Sequence, residues 1–229
     1  MILKRLAAPK IWKIERKTKK FTIAPRPGPH PKEMCIPLGI IIRNYLKITE
    51  TLKETKKLLN QRIVKVNGKI RRDHKFPVGL MDVIEIGNVA YRVIPGNSGF
   101  QLKEIKDKNI KLSKIVNKTS VKGGKIQLNL HEGWNVLIDQ KDKDKFKTGD
   151  VLVIDLSKNK IKDVIKFEKG ALALIIGGRN LGKVGKIEKI KIVRSSKPNM
   201  VVLKINGNRV AVPVHYIFVV GKDKPVIEL

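Results

Sequence analysis

The stretch TLKETKKLLNQRIVKVNGKI, residues 51–70, changes its apolar spacing half-way along and thereby decides the fold class. Its first half begins with Thr51 and Glu54 at capping-box spacing, in which each side chain satisfies a backbone N–H of the other at a helix start. In its second half apolar and polar residues alternate up to Asn67-Gly68, the pair that type I′ hairpin turns prefer. The stretch therefore predicts a helix followed by a β-hairpin, which is an α+β arrangement.

The flanking residues extend this pattern into a small module over 37–93. A short apolar segment from Leu38 to Leu46 carries Arg43 and Asn44 on its polar side and predicts a preceding helix. Residues 77–86 predict one further strand. Two helices followed by a small hairpin sheet form a compact module of roughly 50–60 residues, which is near the lower size limit for independent folding.

The region 94–168 is predicted to be rich in β-strands. Residues 121–130 alternate well, with apolar side chains at positions 126, 128 and 130 on one face. A second strand is predicted at 151–154 after a charged loop. Residues 101–118 are expected to include a short helix.

The region 169–229 is predicted to be a series of short strands. An apolar strand over 171–176 is followed by a glycine-rich loop and a basic strand whose apolar spacing slips at Glu188, as a β-bulge causes. Asn206-Gly207 indicates a two-residue hairpin with one buried and one partly basic face, as in a small barrel. Its predicted cross-strand pairs are Leu203 with Val210, Val201 with Val212, Lys204 with Arg209 and Val202 with Ala211.

The first 36 residues resemble an arm more than a domain, because their apolar residues are scattered. Prolines at every second position over 25–31 block helix and hold the backbone extended. With its many basic residues, this segment is expected to order only on a partner. Trp12 and the other apolar side chains argue against a purely solvated tail.

Positive charge is distributed over the whole chain, which carries a formal net charge of +30. Lys and Arg against Asp and Glu number 10 and 2 in residues 1–36, and 12 and 5 in 37–93. They number 16 and 10 in 94–168, and 12 and 3 in 169–229. Such a chain repels itself unless a polyanion surrounds it, and the abundant cellular polyanion is nucleic acid.

The composition excludes several other classes. Hydrophobic residues make up 41% of the 229 residues, enough to bury a core. The 5% of aromatics count against a reader that stacks unpaired bases on rings and favour contacts to backbone phosphate. Cys35 is the only cysteine, so an internal disulfide or a cysteine-based zinc site is excluded. The four histidines are too scattered for a visible base or ligand cluster. With no apolar run of signal or membrane length, the sequence predicts a soluble protein in a reducing, intracellular compartment.

A glycine-rich loop invites comparison with a nucleotide-binding P-loop. Gly177, Gly182 and Lys183 have almost its spacing, but Val184 stands where a magnesium-binding Ser or Thr is needed, and β-branched residues follow instead of a helix. The glycines have another use, since a tight loop between strands can bring its backbone and Arg179 close to a phosphate chain.

Two segments resemble known RNA-binding modules. Residues 37–86, with two helices followed by VNGK and VGLMDVIEI, resemble the αL-type RNA-binding module, in which many members have Gly at the position of Met81. Residues 171–197 resemble the KOW motif, an element of a small SH3-like barrel, with Gly182 at the motif's glycine position.

The whole chain resembles a single family in the order of its motifs. These include LKRLAAPKIW at the start, KGGKIQLNLHEG in the middle and KFEKGALALIIGGRNLGKVGKI near the end. This order resembles the archaeal and eukaryotic small-subunit ribosomal protein family S4e over essentially the full length. The short chain and its Lys and Ile bias favour an archaeon.

The resemblance implies an α+β, mostly β fold in four regions. They are a basic extended arm (1–36), the αL-type domain (37–93), a β-rich central domain (94–168) and a KOW SH3-like barrel (169–229). It also implies a structural role in the small subunit of a cytoplasmic ribosome, with ribosomal RNA and neighbouring ribosomal proteins as partners. No catalysis, cofactor, metal, membrane or small-molecule substrate is implied.

Carried over by position, the expected RNA contacts are basic side chains with one asparagine. In the arm they are Lys4, Arg5, Lys10 and Lys13; in the αL-type domain Arg43, Lys53, Lys56, Lys57, Arg62, Arg71 and Arg72; and in the KOW element Arg179, Asn180, Lys183 and Lys186.

Two alternatives use the same modules. An RNA-modifying enzyme would add a catalytic domain, for which residues 94–168 are short and rich in lysine. A transcription-elongation accessory protein with a KOW motif would carry a separate polymerase-binding domain and no αL-type module.

Overall fold

A computed structural model describes residues 2–96 and 99–228, and the fold is mostly β. By its contacts the chain divides into two compact units. The first consists of Met1–Ile94 with Ser98–Lys111, and the second of Pro95–Asn97 with Leu112–Leu229. The division into four regions stays a prediction.

The first half of the chain combines strands with two longer helical segments and two 3-10 turns, Arg5–Ala7 and Lys32–Met34. The helix α1 is one turn at Leu38–Ile40 that continues as a π-helical turn over Ile41–Tyr45, and α2 spans Leu52–Asn60. The strands are β1 Leu3–Lys4, β2 Phe21–Thr22, β3 Cys35–Pro37, β4 Val64–Val66, β5 Lys69–Ile70, β6 Pro77–Gly79, β7 Val83–Ile86, β8 Val89–Gly96 and β9 Gly99–Ile105. They form two two-stranded sheets, β1-β2 and β3-β6, and a five-stranded sheet in the order β5-β4-β7-β8-β9.

The predicted helix start and hairpin turn are both confirmed. The Thr51 hydroxyl accepts a hydrogen bond from the Glu54 N–H at 3.2 Å, and the Glu54 carboxylate accepts one from the Thr51 N–H at 3.5 Å. At the turn between β4 and β5, φ is 51° at Asn67 and 74° at Gly68, as a type I′ turn requires. The local signals in residues 51–70 therefore determine their structure directly.

Two predictions for this part of the chain need correction. The segment from Leu38 to Leu46 is a regular helix only at its start, because the Leu46 N–H donates to the Ile41 carbonyl in a π-type bond of 3.0 Å. Residues 77–86 form two strands instead of one, since the backbone turns at Met81, where φ is 64°. Neither the wider helical turn nor the positive φ of a methionine has a local sequence signal.

The arm is part of the first unit, contrary to the expectation that it orders only on a partner. Trp12 is 2% exposed, and its indole N–H donates to the Cys35 carbonyl at 2.5 Å. The Phe100 N–H donates to the Ile11 carbonyl, which ties the same segment to β9. A large apolar ring and backbone hydrogen bonds fix a segment whose composition favours disorder.

A buried carboxylate, that of Asp82, joins four parts of the first unit. It accepts hydrogen bonds from the Lys111 ammonium at 2.7 Å, the Asn67 amide at 2.8 Å and the Gly79 N–H at 2.9 Å. The His30 ring nitrogen Nε2 lies 2.9 Å from its second oxygen. Asp82 is 1% exposed and the Lys111 side chain 0%, so the ion pair lies fully inside the protein.

The environment of Asp82 strongly favours its charged form. Burial by itself raises the pKa of the carboxyl, but the charges of Lys111 and His30 and the hydrogen bonds of His30 and Gly79 outweigh burial. They hold the pKa of Asp82 well below its ordinary value of 3.8. The same charge of Asp82, after burial itself, raises the pKa of the Cys35 thiol to about 12, so that Cys35 is an inert core residue.

The second half of the chain is built from two five-stranded antiparallel sheets. The first has the strand order β12-β11-β10-β13-β14 and the second the order β18-β17-β16-β15-β19. Their strands are β10 Ile110–Val121, β11 Lys125–Leu130, β12 Asn135–Asp139, β13 Val151–Asp155, β14 Lys160–Ile165, β15 Leu172–Ile175, β16 Val184–Lys191, β17 Met200–Ile205, β18 Asn208–Pro213 and β19 Ile217–Gly221.

The predicted helix within 101–118 is wrong. This segment forms most of β9 and β10, and β10 is the central strand of its sheet. Lys111, Leu112 and Ser113 are all fully buried, which hides the alternation that marks a strand with one exposed face. The alternation predicted for 121–130 is confirmed, since Ile126, Leu128 and Leu130 lie in one buried apolar cluster with side chains of β10 and β13.

The predicted hairpin in the C-terminal sheet is confirmed in register. Leu203 pairs with Val210 and Lys204 with Arg209, as expected for a two-residue turn. The expected bulge also occurs, because the pairing of β16 with β17 shifts between Ile187 and Lys189. Strand β19, which the sequence did not predict, pairs with β15 and forms one edge of the sheet.

Replacing Asp82 tests the weight of the buried carboxylate. In Asp82→Asn the Lys111 ammonium stays buried without its counter-charge, so we expect the free energy of unfolding to fall by about 3–5 kcal/mol. Urea unfolding can be followed by the fluorescence of Trp12 in a Trp134→Phe background, which reports on the first unit. The exposed Asp144→Asn is the matched control, and an Asp82→Asn loss below about 1 kcal/mol would contradict the assigned role.

Acid should remove this stabilisation in a defined direction. Because the pKa of Asp82 is depressed in the folded state, its contribution is fully present above the ordinary value of 3.8 and is lost as the pH falls towards the lower folded value. We therefore expect the stability difference between the unmodified chain and Asp82→Asn to narrow progressively below that pH. A difference that stays constant from neutral pH to strong acid would disprove the linkage.

Candidate nucleic-acid interface

The exposed face of α2 presents three of the predicted contacts together. Lys53, Lys56 and Lys57 are all exposed, and their spacing of three and four residues places them on neighbouring turns of the helix. Thr55 and Leu59 lie on the opposite, fully buried side. A short helix anchored by a capping box thus carries a fixed group of ammonium groups.

Further arginines follow α2 along the chain. Arg62 is exposed and ends the helix with a φ of 61°, while its N–H donates to the Leu59 carbonyl at 3.2 Å. The Arg71 guanidinium lies over the Phe76 ring, 4.3 Å from its centroid, and the residue is half-buried. Arg72 is exposed. Arg62 and Arg72 can therefore reach a phosphate, whereas the Arg71 side chain is held against an aromatic ring.

The predicted contacts in the arm fall into two groups. Lys4, Lys10 and Lys13 are exposed, and the Lys13 N–H donates to the Tyr45 hydroxyl at 2.9 Å, which fixes the backbone there. Arg5 is only 6% exposed, and its guanidinium donates to the Glu15 carbonyl. Arg5 thus serves the fold of the arm and adds its charge to the surroundings.

Arg43 projects from the π-helical turn and is half-buried. Its Nε donates to the Asn44 amide oxygen at 3.1 Å. Burial, and then the charge of Arg5, lower the pKa of Arg43, so the two guanidinium groups lie close enough to repel each other. A bound anion would relieve that repulsion.

The glycine-rich loop connects β15 with β16 and projects its polar side chains. The exposed Lys183 ammonium donates to the Asn180 amide oxygen at 2.9 Å, and Arg179 is exposed. Gly182 has a φ of 83°, a conformation that favours glycine, and its N–H donates to the Ile175 carbonyl at 2.8 Å. Lys186 is exposed on β16 and pairs with Asp223 at 2.8 Å.

The same loop lacks the structure that a nucleotide-binding P-loop requires. A strand, β16, follows it directly, so no helix N-terminus is available to hold a triphosphate. Among the described residues there is also no group of three or more His, Cys, Asp or Glu side chains placed to hold a metal ion. No helix in the described ranges is long and apolar enough to cross a membrane.

The C-terminal sheet has the partly basic face predicted for its hairpin, but most of its basic residues were not among the predicted contacts. Lys189, Lys191 and Lys204 are exposed there, near the ion pair between Arg209 and Glu188. The pair is forked, with Arg209 Nε donating to Glu188 at 2.7 Å and a second guanidinium nitrogen donating to the other oxygen. The predicted pairing of Lys204 with Arg209 already indicated a basic face and could have led to these residues.

Comparison with known proteins agrees with the motif order. Residues 88–161 match the model of Ribosomal family S4e, and residues 3–33 match that of the RS4NT domain. A small ribosomal subunit protein eS4 from Methanosphaera stadtmanae is 47% identical over 232 residues, covering 99% of this chain and 95% of the relative. The chain belongs to this ribosomal protein family.

Other members of the family cover nearly the same range. The Methanothermobacter thermautotrophicus protein eS4 is 45% identical, with coverage of 99% of this chain and 95% of the relative. The crystal structure of the 30S ribosomal protein S4e from Thermoplasma acidophilum is 32% identical and superposes with a TM-score of 0.72, over 83% of this chain and 97% of that one. None of these names supports an RNA-modifying enzyme or a transcription-elongation protein.

The lysines on α2 provide a test of the interface. If Lys53, Lys56 and Lys57 each contact a phosphate, replacing all three with Gln removes about two from the magnitude of the log–log slope of affinity against salt. The matched control replaces Lys141, Lys143 and Lys145 with Gln. These lysines alternate with aspartates in residues 139–145, which carry no net charge. Filter binding to a small-subunit ribosomal RNA transcript measures both, and equal slopes for the two triple variants would contradict the α2 assignment.

Proposed function

We propose that this protein is a structural constituent of the small ribosomal subunit that binds and braces ribosomal RNA without catalysis. The carrying observation is near full-length identity of 40–47% to relatives named small ribosomal subunit protein eS4. The net charge of +30 supports RNA as the direct partner, since every segment of the chain has more Lys and Arg than Asp and Glu.

The proposed mechanism is electrostatic docking of small, rigid modules. Lys and Arg side chains replace counterions along folded RNA, and the release of those ions drives binding. Exposed arginines such as Arg62 and Arg179 add forked contacts to phosphate. Base edges in A-form RNA are hidden in a deep groove, so the protein recognises shape and backbone more than sequence.

We also propose that the chain contains an αL-type RNA-binding module and a KOW element. A capped helix, a type I′ hairpin and a following strand support an αL-type RNA-binding module over residues 37–86. An apolar strand, a loop with Gly182 at positive φ and a bulged basic strand support a KOW element within an SH3-like barrel. The arm and the central sheet complete the four proposed regions.

Family membership also supports a cellular setting for the protein. We place the protein in the small subunit of a cytoplasmic ribosome, next to ribosomal RNA and neighbouring ribosomal proteins. The named relatives belong to archaea, which agrees with the Lys and Ile bias of the chain. The fifteen candidate contacts stay proposals, with Arg5 placed in a supporting role by its burial.

Salt dependence tests the mechanism. With about eight basic side chains on phosphate, affinity for small-subunit ribosomal RNA should fall with a log–log slope of about −6 to −7 and change little with single-base substitutions. Filter binding over a KCl series measures the slope. A shallow slope, or strong discrimination between single-base variants, contradicts docking through the phosphate backbone.

Sedimentation in the native lysate tests the setting independently. The tagged protein should migrate with small ribosomal subunits at low salt and dissociate at high salt. A tagged bovine serum albumin added to the same lysate controls for non-specific migration. A free peak at low salt would overturn the ribosomal assignment.

A further inference from the structure

A groove on the first unit combines a basic rim with an apolar floor. It lies between β2, the π-helical turn and the segment before β6. The side chains that matter most for its chemistry are Arg5, Lys19, Phe21, Arg43, His74 and Lys75. The buried residues Ile23 and Ala24 form part of the floor.

The charge of this groove is one-sided. Four of its lining residues, Arg5, Lys19, Arg43 and Lys75, are cations, and the described residues that line it include no carboxylate. Asp73 lies at its border, 3.7 Å from the His74 ring and paired with Arg26 at 3.1 Å. A site of this kind attracts an anion and rejects a cation.

The pKa values of two groove residues, Arg43 and His74, are lowered in part by the same positive potential. Burial and then the charge of Arg5 lower the pKa of Arg43. Burial lowers the pKa of His74, as do the charges of Lys56, Lys75 and Arg26, while Asp73 opposes them. An anion in the groove would reverse the electrostatic part of both shifts.

Phe21 gives the groove a second kind of chemistry. It is 49% exposed, although most large apolar residues of the first unit are buried, and it is the aromatic member among the exposed large apolar residues of the described chain. Its backbone is held by pairing with Lys4 in the β1-β2 sheet. The Lys20 ammonium lies 5.5 Å from the ring centroid. The bases of single-stranded nucleic acids stack on aromatic rings of this kind, which are half-exposed and lie beside cations.

We propose that this groove takes one unpaired nucleotide of RNA, with its phosphate among Lys19, Arg43 and Lys75 and its base against Phe21. The proposal rests on the proposed function, RNA binding, and adds a site for an unstacked base to contacts that otherwise recognise backbone and shape. A base fits the observations better than an acidic peptide, because a carboxylate side chain would leave the ring and the apolar floor unused.

Two variants separate the two halves of the site. Phe21→Leu keeps an apolar residue but removes the ring, so affinity for a single-stranded oligoadenylate of about six nucleotides should fall about tenfold, and affinity for an abasic oligomer of equal charge should not change. Lys19→Gln should weaken both oligomers alike, because it removes a phosphate contact. The matched controls are Leu137→Ala, an exposed apolar residue outside the groove, and Lys141→Gln.

A measurement on the unmodified protein removes the dependence on any variant. Titration with the oligoadenylate should shift the ring signals of His74 in the NMR spectrum and raise its pKa, whereas an acidic peptide of equal charge should bind more weakly. Unshifted His74 signals, or equal binding of the oligoadenylate and the abasic oligomer, would overturn the proposal. Tighter binding of the acidic peptide would also overturn it.

Different results would disprove the nucleotide site in the groove and the proposed function of RNA binding. The protein could bind a small-subunit ribosomal RNA transcript with a steep salt slope while Phe21→Leu leaves its affinity for oligoadenylate unchanged. In that case the nucleotide site in the groove is wrong and the proposed RNA binding stands. If the unmodified protein fails to bind the transcript at low salt, the proposed function itself is wrong, and the groove proposal falls with it.

Discussion

The carboxylate of Asp82 is the constraint on which the first unit depends. It draws together the arm through His30, the hairpin turn through Asn67, strand β6 through Gly79 and the start of β10 through Lys111. These segments are distant in sequence, and most of the strands they carry are only two to four residues long. Short strands contribute few ladder hydrogen bonds, so a shared buried ion fixes their arrangement more specifically than apolar packing alone.

This internal negative charge contrasts with the outside of the protein. In the first unit the Asp82 carboxylate is buried, whereas the lysines of α2 and of the arm are exposed. A cationic surface raises the free energy of the isolated fold by self-repulsion, and association with a polyanion removes that penalty. Stability and the proposed RNA binding are therefore coupled through the same charges of this chain, whose formal net charge is +30.

Much of the fold could be predicted from local chemistry. The capping box at Thr51, the Asn-Gly turns and the bulge near Glu188 each depend on a few neighbouring residues, and each is present as predicted. The errors arise where long-range contacts decide. The segment 101–118, expected to include a helix, instead forms most of β9 and β10, and β10 is buried on both faces at Lys111, Leu112 and Ser113. Trp12 orders the arm through a carbonyl 23 positions away.

Some residues of the candidate site could also be predicted from local sequence, and others could not. Exposed lysines on α2 could be predicted, because helical spacing alone places them outside. The burial of Arg5 and the stacking of Arg71 on Phe76 could not, since both depend on partners that only the folded backbone brings close. The groove around Phe21 escaped the sequence analysis for that reason: its walls come from the arm, the π-helical turn and the segment before β6.

The buried Trp12 has a consequence for how such a protein joins its partner. An arm that is already docked has lost most of its conformational freedom before RNA arrives, so association does not have to supply that ordering entropy. Coupled folding gives a large negative heat-capacity change, whereas the encounter of two preformed surfaces through phosphate contacts gives a small one. The docked arm should therefore bind with an enthalpy that varies only weakly with temperature.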